Sequence, residues 1–127
     1  MRTAFISGHL SITQDEFEAH YIPQLLIAIE QGHNFVIGDA PGGDTLAQAY
    51  LAQHISKERV TVYHAYESPR NNFGFRTLGR YSSQSAKDHA MTKASDYDIA
   101  WVRPGRENSG TARNIIRRKV AKEDDHD

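Results

Sequence analysis

The residues with the clearest chemical potential lie in a glycine-rich turn, residues 39–44 (DAPGGD), which follows the apolar run 34–38. A turn from a strand into a helix leaves unpaired backbone N–H groups at the helix N-terminus, and glycine allows a ligand to approach them closely. Such a group of N–H donors suits a phosphate. The turn therefore predicts an anion site around Gly42 and Gly43, with an ordinary connecting turn as the alternative.

Two further turns of this type follow the first and the last apolar runs of the chain. In a parallel sheet, turns that follow strands gather at the carboxyl edge, where ligands bind. We expect His9 either to contact a phosphate or ribose or to pack in the protein. The ligand contacts predicted in the three turns are Ser7, Gly8, His9, Asp39, Gly42, Gly43, Asp44, Ser109, Gly110 and Thr111.

Arginines near these turns are candidates for closing the site. Residues 65–81 have no periodicity, and we expect a long irregular loop whose arginines, Arg70, Arg76 and Arg80, reach over a ligand. A solvated flap that binds nothing is the alternative. Arg103, directly after the last apolar run, is a further candidate for holding an anion.

The elements that position these turns follow from the hydrophobic pattern. Strands are predicted at residues 3–7, 34–38, 60–64 and 99–102, and helices alternate with them. Thr13 and Glu16 fit a capping box, and Pro23 should kink or split the helix that follows. We expect an α/β fold: one Rossmann-like domain, residues 1–120, with a parallel sheet of four to five strands flanked by helices. Residues 121–127 should form a flexible acidic tail.

Composition narrows the function classes. The 127 residues carry a net charge of −1, so nothing indicates bulk attraction to nucleic acid or to a membrane. The chain has no cysteine, which excludes disulfides and thiolate ligands, and its histidines lack the spacing of a helical metal-binding pair. No apolar run approaches the length of a membrane span, so we expect a cytoplasmic protein with no metal and no cofactor other than a phosphorylated ligand.

The segment GDAPGGDTLAQAYL resembles the G-G-x-x-G-x-D-x-L-A turn of the SLOG superfamily, the Rossmann-like group of the YpsA-related proteins, the lysine-decarboxylase-like cytokinin-activating enzymes and the DprA core. Asp39 stands where that pattern usually has a second glycine. The resemblance implies nucleotide binding. Together with a face of small residues on the helix predicted at residues 82–94, it also implies a homodimer or higher assembly. The matching residues are Gly38, Gly42, Asp44, Leu46 and Ala47.

Residues 96–114 are similar to the last strand and turn of a neighbouring branch, the nucleoside deoxyribosyltransferases and deoxynucleotide N-glycosidases. By that comparison, the positions of two catalytic glutamates carry Arg103 and Asn114. The resemblance thus implies a protein that binds a nucleotide or phosphorylated nucleoside as a sensor or carrier. One alternative is an N-glycosidase-type hydrolase that uses Glu107 or Asp44. Another is a DprA-like interaction or nucleic-acid-handling module, against which the near-neutral charge argues.

Several side chains outside these motifs have structural interpretations. Asp44 should cap the helix that follows the glycine-rich turn. Asp96 and Asp98 should have structural roles, and Trp101 should be in the core or stacked on a helix. A basic face on the last helix should be solvated; its residues are Arg113, Arg117, Arg118 and Lys119.

Overall fold

The computed structural model of the protein describes residues 1–124, with side chains described through Lys122. Its centre is a sheet of five strands, β1 (Thr3–Ile6), β2 (Asn34–Ile37), β3 (Val60–Ala65), β4 (Arg76–Tyr81) and β5 (Tyr97–Ile99). The strands are all parallel and lie in the order β4-β3-β2-β1-β5. The α/β, Rossmann-like fold expected from the sequence is thereby confirmed.

Helices cover both faces of the sheet because alternate strand residues are apolar on each side. Ala4 and Ile6 of β1 pack with the first three helices, whereas Phe5 packs with Met91 of the fourth. The helices are α1 (Gln14–His20), α2 (Ile22–Glu30), α3 (Gly43–His54), α4 (Gln84–Lys93) and α5 (Gly110–Asp124), and a 3-10 turn spans Lys57–Arg59.

The start of α1 and its separation from α2 follow the sequence prediction. The Thr13 hydroxyl accepts from the Glu16 N–H at 3.1 Å, and the Glu16 carboxylate accepts from the Thr13 N–H at 3.0 Å, which is the expected capping box. Pro23 lies in the first turn of α2, and the chain bends at Tyr21 between the two helices. A proline is tolerated there because first-turn N–H groups have no partner within the helix.

The strand order reverses at β1, which separates β2 on one side from β5 on the other. Ile6 pairs with Ile37 of β2 and with Ile99 of β5, so the three strands end at the same level. Open parallel sheets bind ligands at the carboxyl ends of the strands beside such a reversal. The turns after β1, β2 and β5 therefore meet where a ligand site is expected.

Two predicted segments differ from the structure. Residues 65–81 are not irregular throughout, because β4 pairs with β3 from Arg76 opposite Thr61. This edge strand is exposed along nearly its whole length, so it lacks the apolar period by which a strand is recognised. The last strand is Tyr97–Ile99 rather than residues 99–102.

The end of the chain bears on the predicted tail. Helix α5 continues to Asp124, beyond the predicted domain end at residue 120. Residues 125–127 of the expected tail lie outside the described residues. Within residues 1–124, no helix has both the length and the apolar character needed to cross a bilayer.

Candidate functional site

A cavity of about 440 Å³ opens at the carboxyl edge of the sheet, between the ends of β1, β2 and β5 and the helices α4 and α5. Its volume falls in the range of small-molecule sites. The three predicted turns do converge there. Of the residues expected to contact a ligand, those that line the cavity are Ser7, Gly8, His9, Asp44, Ser109, Gly110 and Thr111.

One wall of the cavity is the N-terminus of α5. The Ser109 hydroxyl accepts from the Ala112 N–H at 3.2 Å and so caps the helix. Gly110 and Thr111 form the first turn and line the cavity. First-turn N–H groups have no acceptor within the helix, and the helix dipole is positive at this end.

Two arginines add full positive charge to this wall. Arg106 and Arg113 both line the cavity, and the Arg113 guanidinium donates to the Asn108 carbonyl at 2.7 Å. Arginine donors are suited in geometry and charge to phosphate oxygens. The helix terminus and the two arginines together give this wall of the cavity positive charge.

Ser7, at the end of β1, has a side chain without a partner. Its backbone is fixed on both sides: the N–H donates to the Ile99 carbonyl at 3.1 Å, and the carbonyl accepts from the Tyr21 hydroxyl at 2.6 Å. The Ser7 Oγ is buried and has no hydrogen-bond partner among the described residues. A buried unsatisfied hydroxyl costs about 1–3 kcal/mol, and the Ser7 hydroxyl lines the cavity, where it is available for a hydrogen bond.

Tyr21 holds the ends of β1 and β5 together beneath the cavity. Its hydroxyl oxygen also accepts from the Trp101 N–H at 3.1 Å. Burial raises the pKa of Tyr21 to about 12, so the phenol stays neutral and keeps its donor. The indole of Trp101 stacks on His20 of α1 with 4.0 Å between ring centroids, which confirms its predicted stacking on a helix.

The opposite wall carries acidic groups on α3 and α4. Asp44 is only 7 % exposed, and its Oδ2 accepts from the Ala40 N–H at 3.2 Å. Burial raises the pKa of Asp44 to about 7, although the charge of Lys87 opposes the shift. The predicted capping role of Asp44 is wrong: α3 begins after Gly42 without a side-chain cap. Burial also raises the pKa of Asp88, which lies beside Lys87.

Lys87 of α4 is a buried cation between two carboxylates. Its Nζ lies 3.7 Å from Asp39 Oδ1 and 3.7 Å from Asp88 Oδ1. A buried ammonium is stable when it is paired in this way. Lys87 is thus positioned at the cavity before any ligand is present.

Asp39 does not line the cavity, but it holds groups that do. Its Oδ2 accepts from the Arg70 N–H at 2.8 Å, and its Oδ1 accepts from the Arg70 guanidinium at 2.9 Å. Burial alone would raise the pKa of Asp39, but the hydrogen bonds from Arg70 and the charges of Arg70 and Lys87 hold it below the usual value. Asn71 Nδ2 donates to the Asp39 carbonyl at 3.0 Å. Arg70, rather than Arg76 or Arg80, therefore closes this side of the cavity.

The glycine doublet after β2 serves packing. Gly42 has φ +81°, and a Cβ there would lie 2.4 Å from the Leu10 carbonyl oxygen. The Gly43 N–H donates to the His9 carbonyl at 3.0 Å, and a Cβ on Gly43 would lie 2.8 Å from the Gly8 Cα. Neither residue lines the cavity. The doublet joins two turns, and the donors that face the cavity belong to α5.

His9 lines the cavity in a defined tautomer. Its Nε2 accepts from the Arg103 N–H at 2.9 Å, so Nδ1 carries the ring hydrogen. Burial, followed by the charges of Arg103 and Arg106, lowers the pKa of His9 and keeps the ring neutral at neutral pH.

Four further predicted residues lie outside the cavity. The Arg103 guanidinium is held by Glu16, with contacts of 2.6 and 2.9 Å, and this arginine lowers the pKa of Glu16 to about 2. Arg76 lies at the start of β4, where it donates to Thr61 at 2.8 Å, and Arg80 is exposed on the same strand. The exposed Glu107 carboxylate accepts from the Gly105 N–H at 3.1 Å and folds onto its own loop.

The polar residues of α4 were not among the residues predicted for the site. Lys87 and Asp88 line the cavity, and Lys87 shares the inward face of α4 with Met91, four residues later. A lysine on a helix face otherwise made of small and apolar residues could have indicated this position from the sequence.

The predicted solvated basic face of α5 is wrong in part, because the guanidinium of buried Arg118 pairs with Asp98 at 2.9 Å. Asp96 is structural as expected, since it accepts from the Thr3 N–H at 2.8 Å.

Comparison with protein-family models, with curated protein sequences and with solved structures gives no match to this chain. Among the side chains described, those of residues 1–122, no three histidine or acidic groups are placed in a way that suits a metal ion.

Proposed function

We propose that this protein binds a nucleotide or another phosphorylated nucleoside-like molecule at the carboxyl edge of its sheet, as a sensor or carrier of the SLOG type. The observation that carries the proposal is the buried, unpartnered Ser7 Oγ in the same cavity as a cationic helix N-terminus. An ordinary gap between elements would not combine these features.

The phosphate belongs at the α5 wall. The first-turn N–H groups of Gly110 and Thr111 supply hydrogen bonds, and Arg106 and Arg113 supply charge. A hydrogen bond to a charged group contributes about 1.5–3 kcal/mol, so two or three of them supply about 3–9 kcal/mol toward binding, against which the cost of association counts.

The nucleoside part belongs against the inner wall. Phe5, Ile6 and Met91 give this wall apolar surface, and polar groups lie at its edge. A base or sugar presents the same combination of an apolar face and a polar edge. The cavity volume lies in the lower half of the range for small-molecule sites, which favours a ligand no larger than a mononucleotide.

Isothermal calorimetry with the common nucleoside monophosphates tests this function. Arg106→Gln should weaken binding about tenfold, because it removes one charged contact with the phosphate. Arg80→Gln is the matched control, since Arg80 is exposed and outside the cavity. Equal affinities for the two variants, or no binding of any nucleotide by the wild type, would contradict the proposal.

A second candidate function is N-glycosidase-type hydrolysis. Of the two carboxylates considered for this reaction, the structure favours Asp44 over Glu107. Asp44 lines the cavity with its pKa raised to about 7, which suits a general base, whereas Glu107 lies outside. Retaining hydrolysis also needs a second group to handle the leaving base. Release of free base from nucleoside monophosphates, abolished in Asp44→Asn, would establish this activity in place of simple binding.

We also infer a homodimer or higher assembly, with a contact different from the one expected. Ala90 and Met91 of α4 pack against the sheet, so the face of small residues is occupied within the chain. Ile116 and Val120, one turn apart on α5, are about half exposed and supply the alternative contact. Light scattering at high micromolar concentration should give twice the monomer mass, and Ile116→Glu should restore the monomer. A wild-type monomer would end this inference.

A further inference from the structure

Three polar side chains meet where β1 and β2 end. Ile6 pairs with Ile37, so Ser7 and Gly38 follow side by side in neighbouring strands. A Cβ on Gly38 would lie 2.6 Å from Asp44 Oδ2 and 3.1 Å from Lys87 Nζ. Asp44 and Lys87 thus lie directly over Gly38, beside Ser7.

All three side chains are on the α4 side of the sheet. Ser7 lies two residues after Phe5, which packs against Met91 of α4, and alternate residues of a strand share a face. Ser7, Asp44 and Lys87 are each less than a tenth exposed, and each lines the cavity. The Ser7 Oγ is the one with no hydrogen-bond partner in the described chain.

The hydrogen-bonding capacity of this group is mixed. A serine hydroxyl donates and accepts, an ammonium donates, and a carboxyl group accepts as an anion and also donates when protonated. A second phosphate would be repelled by the Asp88 carboxylate, which already pairs with Lys87. An amine would meet Lys87. A neutral group that both donates and accepts, such as a hydroxyl, satisfies all three partners.

We propose, on the basis of the phosphate site above, that Ser7, Asp44 and Lys87 bind the vicinal hydroxyls of a ribose. The ligand is then a ribose 5-phosphate derivative rather than its 2-deoxy counterpart. Neighbouring strands are ~4.8 Å apart, so the hydroxyl site at β2 and the phosphate site beyond β5 are separated by roughly 10 Å, within the reach of one sugar phosphate.

Selectivity follows from the burial of the three groups. The two carboxylates beside Lys87 hold it in place, each at 3.7 Å, so it does not withdraw when a hydroxyl is absent. A 2-deoxy ligand therefore leaves a buried donor or acceptor unpaired. Sites built to hydrogen-bond a hydroxyl reject the analogue that lacks it, here by about tenfold or more.

The test is calorimetry with two matched pairs: ribose 5-phosphate against 2-deoxyribose 5-phosphate, and AMP against dAMP. In at least one pair, the wild type should bind the ribose member about tenfold more tightly. Ser7→Ala should lose that preference while its affinity for the deoxy member stays within about twofold. Ser85→Ala, at an exposed serine of α4, is the control and should behave as wild type.

Stability separates this role from a structural one. Ser7→Ala removes an unpartnered buried hydroxyl, so its melting temperature should not fall below that of the wild type. Asp44→Leu offers a second test and should bind the two members of each pair equally. Equal wild-type affinity within both pairs, or retained preference in Ser7→Ala, would overturn the hydroxyl site and leave the phosphate site standing. No binding of any of the four compounds would remove both.

Discussion

The buried carboxyl of Asp44 should make the protein less stable as the pH rises. The pKa of this group increases from 3.8 in the unfolded chain to about 7 in the folded one. Between these values the folded protein holds a proton that the unfolded chain has lost. The stabilising contribution of the neutral carboxyl is thus complete below about pH 4 and is lost as the pH rises to 7. At 1.36 kcal/mol for each pKa unit, the loss is about 4 kcal/mol.

Asp44→Asn isolates this effect. The amide stays neutral at every pH, and its oxygen can still accept from the Ala40 N–H. The variant should therefore match the wild type near pH 4 and exceed its free energy of unfolding above pH 7 by up to about 4 kcal/mol. His9 titrates in the same range with the opposite sign, since its pKa is lowered, but its contribution cancels in the difference between the two chains.

Urea denaturation at pH 4.5, 6 and 8, monitored by the fluorescence of the single tryptophan, Trp101, measures the difference in free energy of unfolding between the variant and the wild type. Asp15→Asn is the control, because Asp15 is exposed in the first turn of α1 and should change stability by less than about 1 kcal/mol. If Asp44→Asn proves less stable than the wild type at pH 8, then Asp44 is an anion paired with Lys87, and the argument from burial fails.

Three further outcomes follow from the packing around the cavity. Gly42→Ala should lower the free energy of unfolding by about 2 kcal/mol or more, because the left-handed backbone and the Leu10 carbonyl both oppose a Cβ; unchanged denaturation would refute this. Asp39→Ala should lower the free energy of unfolding by about 3 kcal/mol, because it removes one of the carboxylates that pair with the buried Lys87; the half-exposed Arg70 should contribute little. Adding Lys87→Met in a double variant should recover part of this loss. Glu107→Gln should leave nucleotide affinity unchanged in calorimetry, since this side chain contacts only its own loop; a tenfold change would place Glu107 at the ligand.

The sequence was sufficient for the architecture because most elements carry their own signal. Buried strands such as Asn34–Ile37 are short apolar runs, and α1 begins at a capping box. The edge strand β4 was missed because neither of its faces is buried, so its residues show no alternation. The convergence of the turns after β1, β2 and β5 was also predictable, since parallel strands end at one edge.

The roles of the individual residues at the site were less predictable from the sequence. Glycine is required both where a ligand approaches the backbone and where two backbones touch, and the sequence does not distinguish Gly42 from a phosphate-binding glycine. Lys87 and Asp88 lie in the middle of a helix, where charged residues usually face solvent. Arg103 was a reasonable anion ligand until the fold placed Glu16 beside it, 87 residues earlier in the chain.

The contact between Gly8 and Gly43 has a consequence for how this sequence can change over evolution. A Cβ on Gly8 would lie 3.1 Å from the Gly43 Cα, and one on Gly43 would lie 2.8 Å from the Gly8 Cα. Substitution of either glycine forces the two turns apart, and a side chain at the other position then no longer meets a close backbone contact. Their substitutions should therefore be strongly non-additive, and the pair should be kept or lost as a unit in any lineage that descends from this chain.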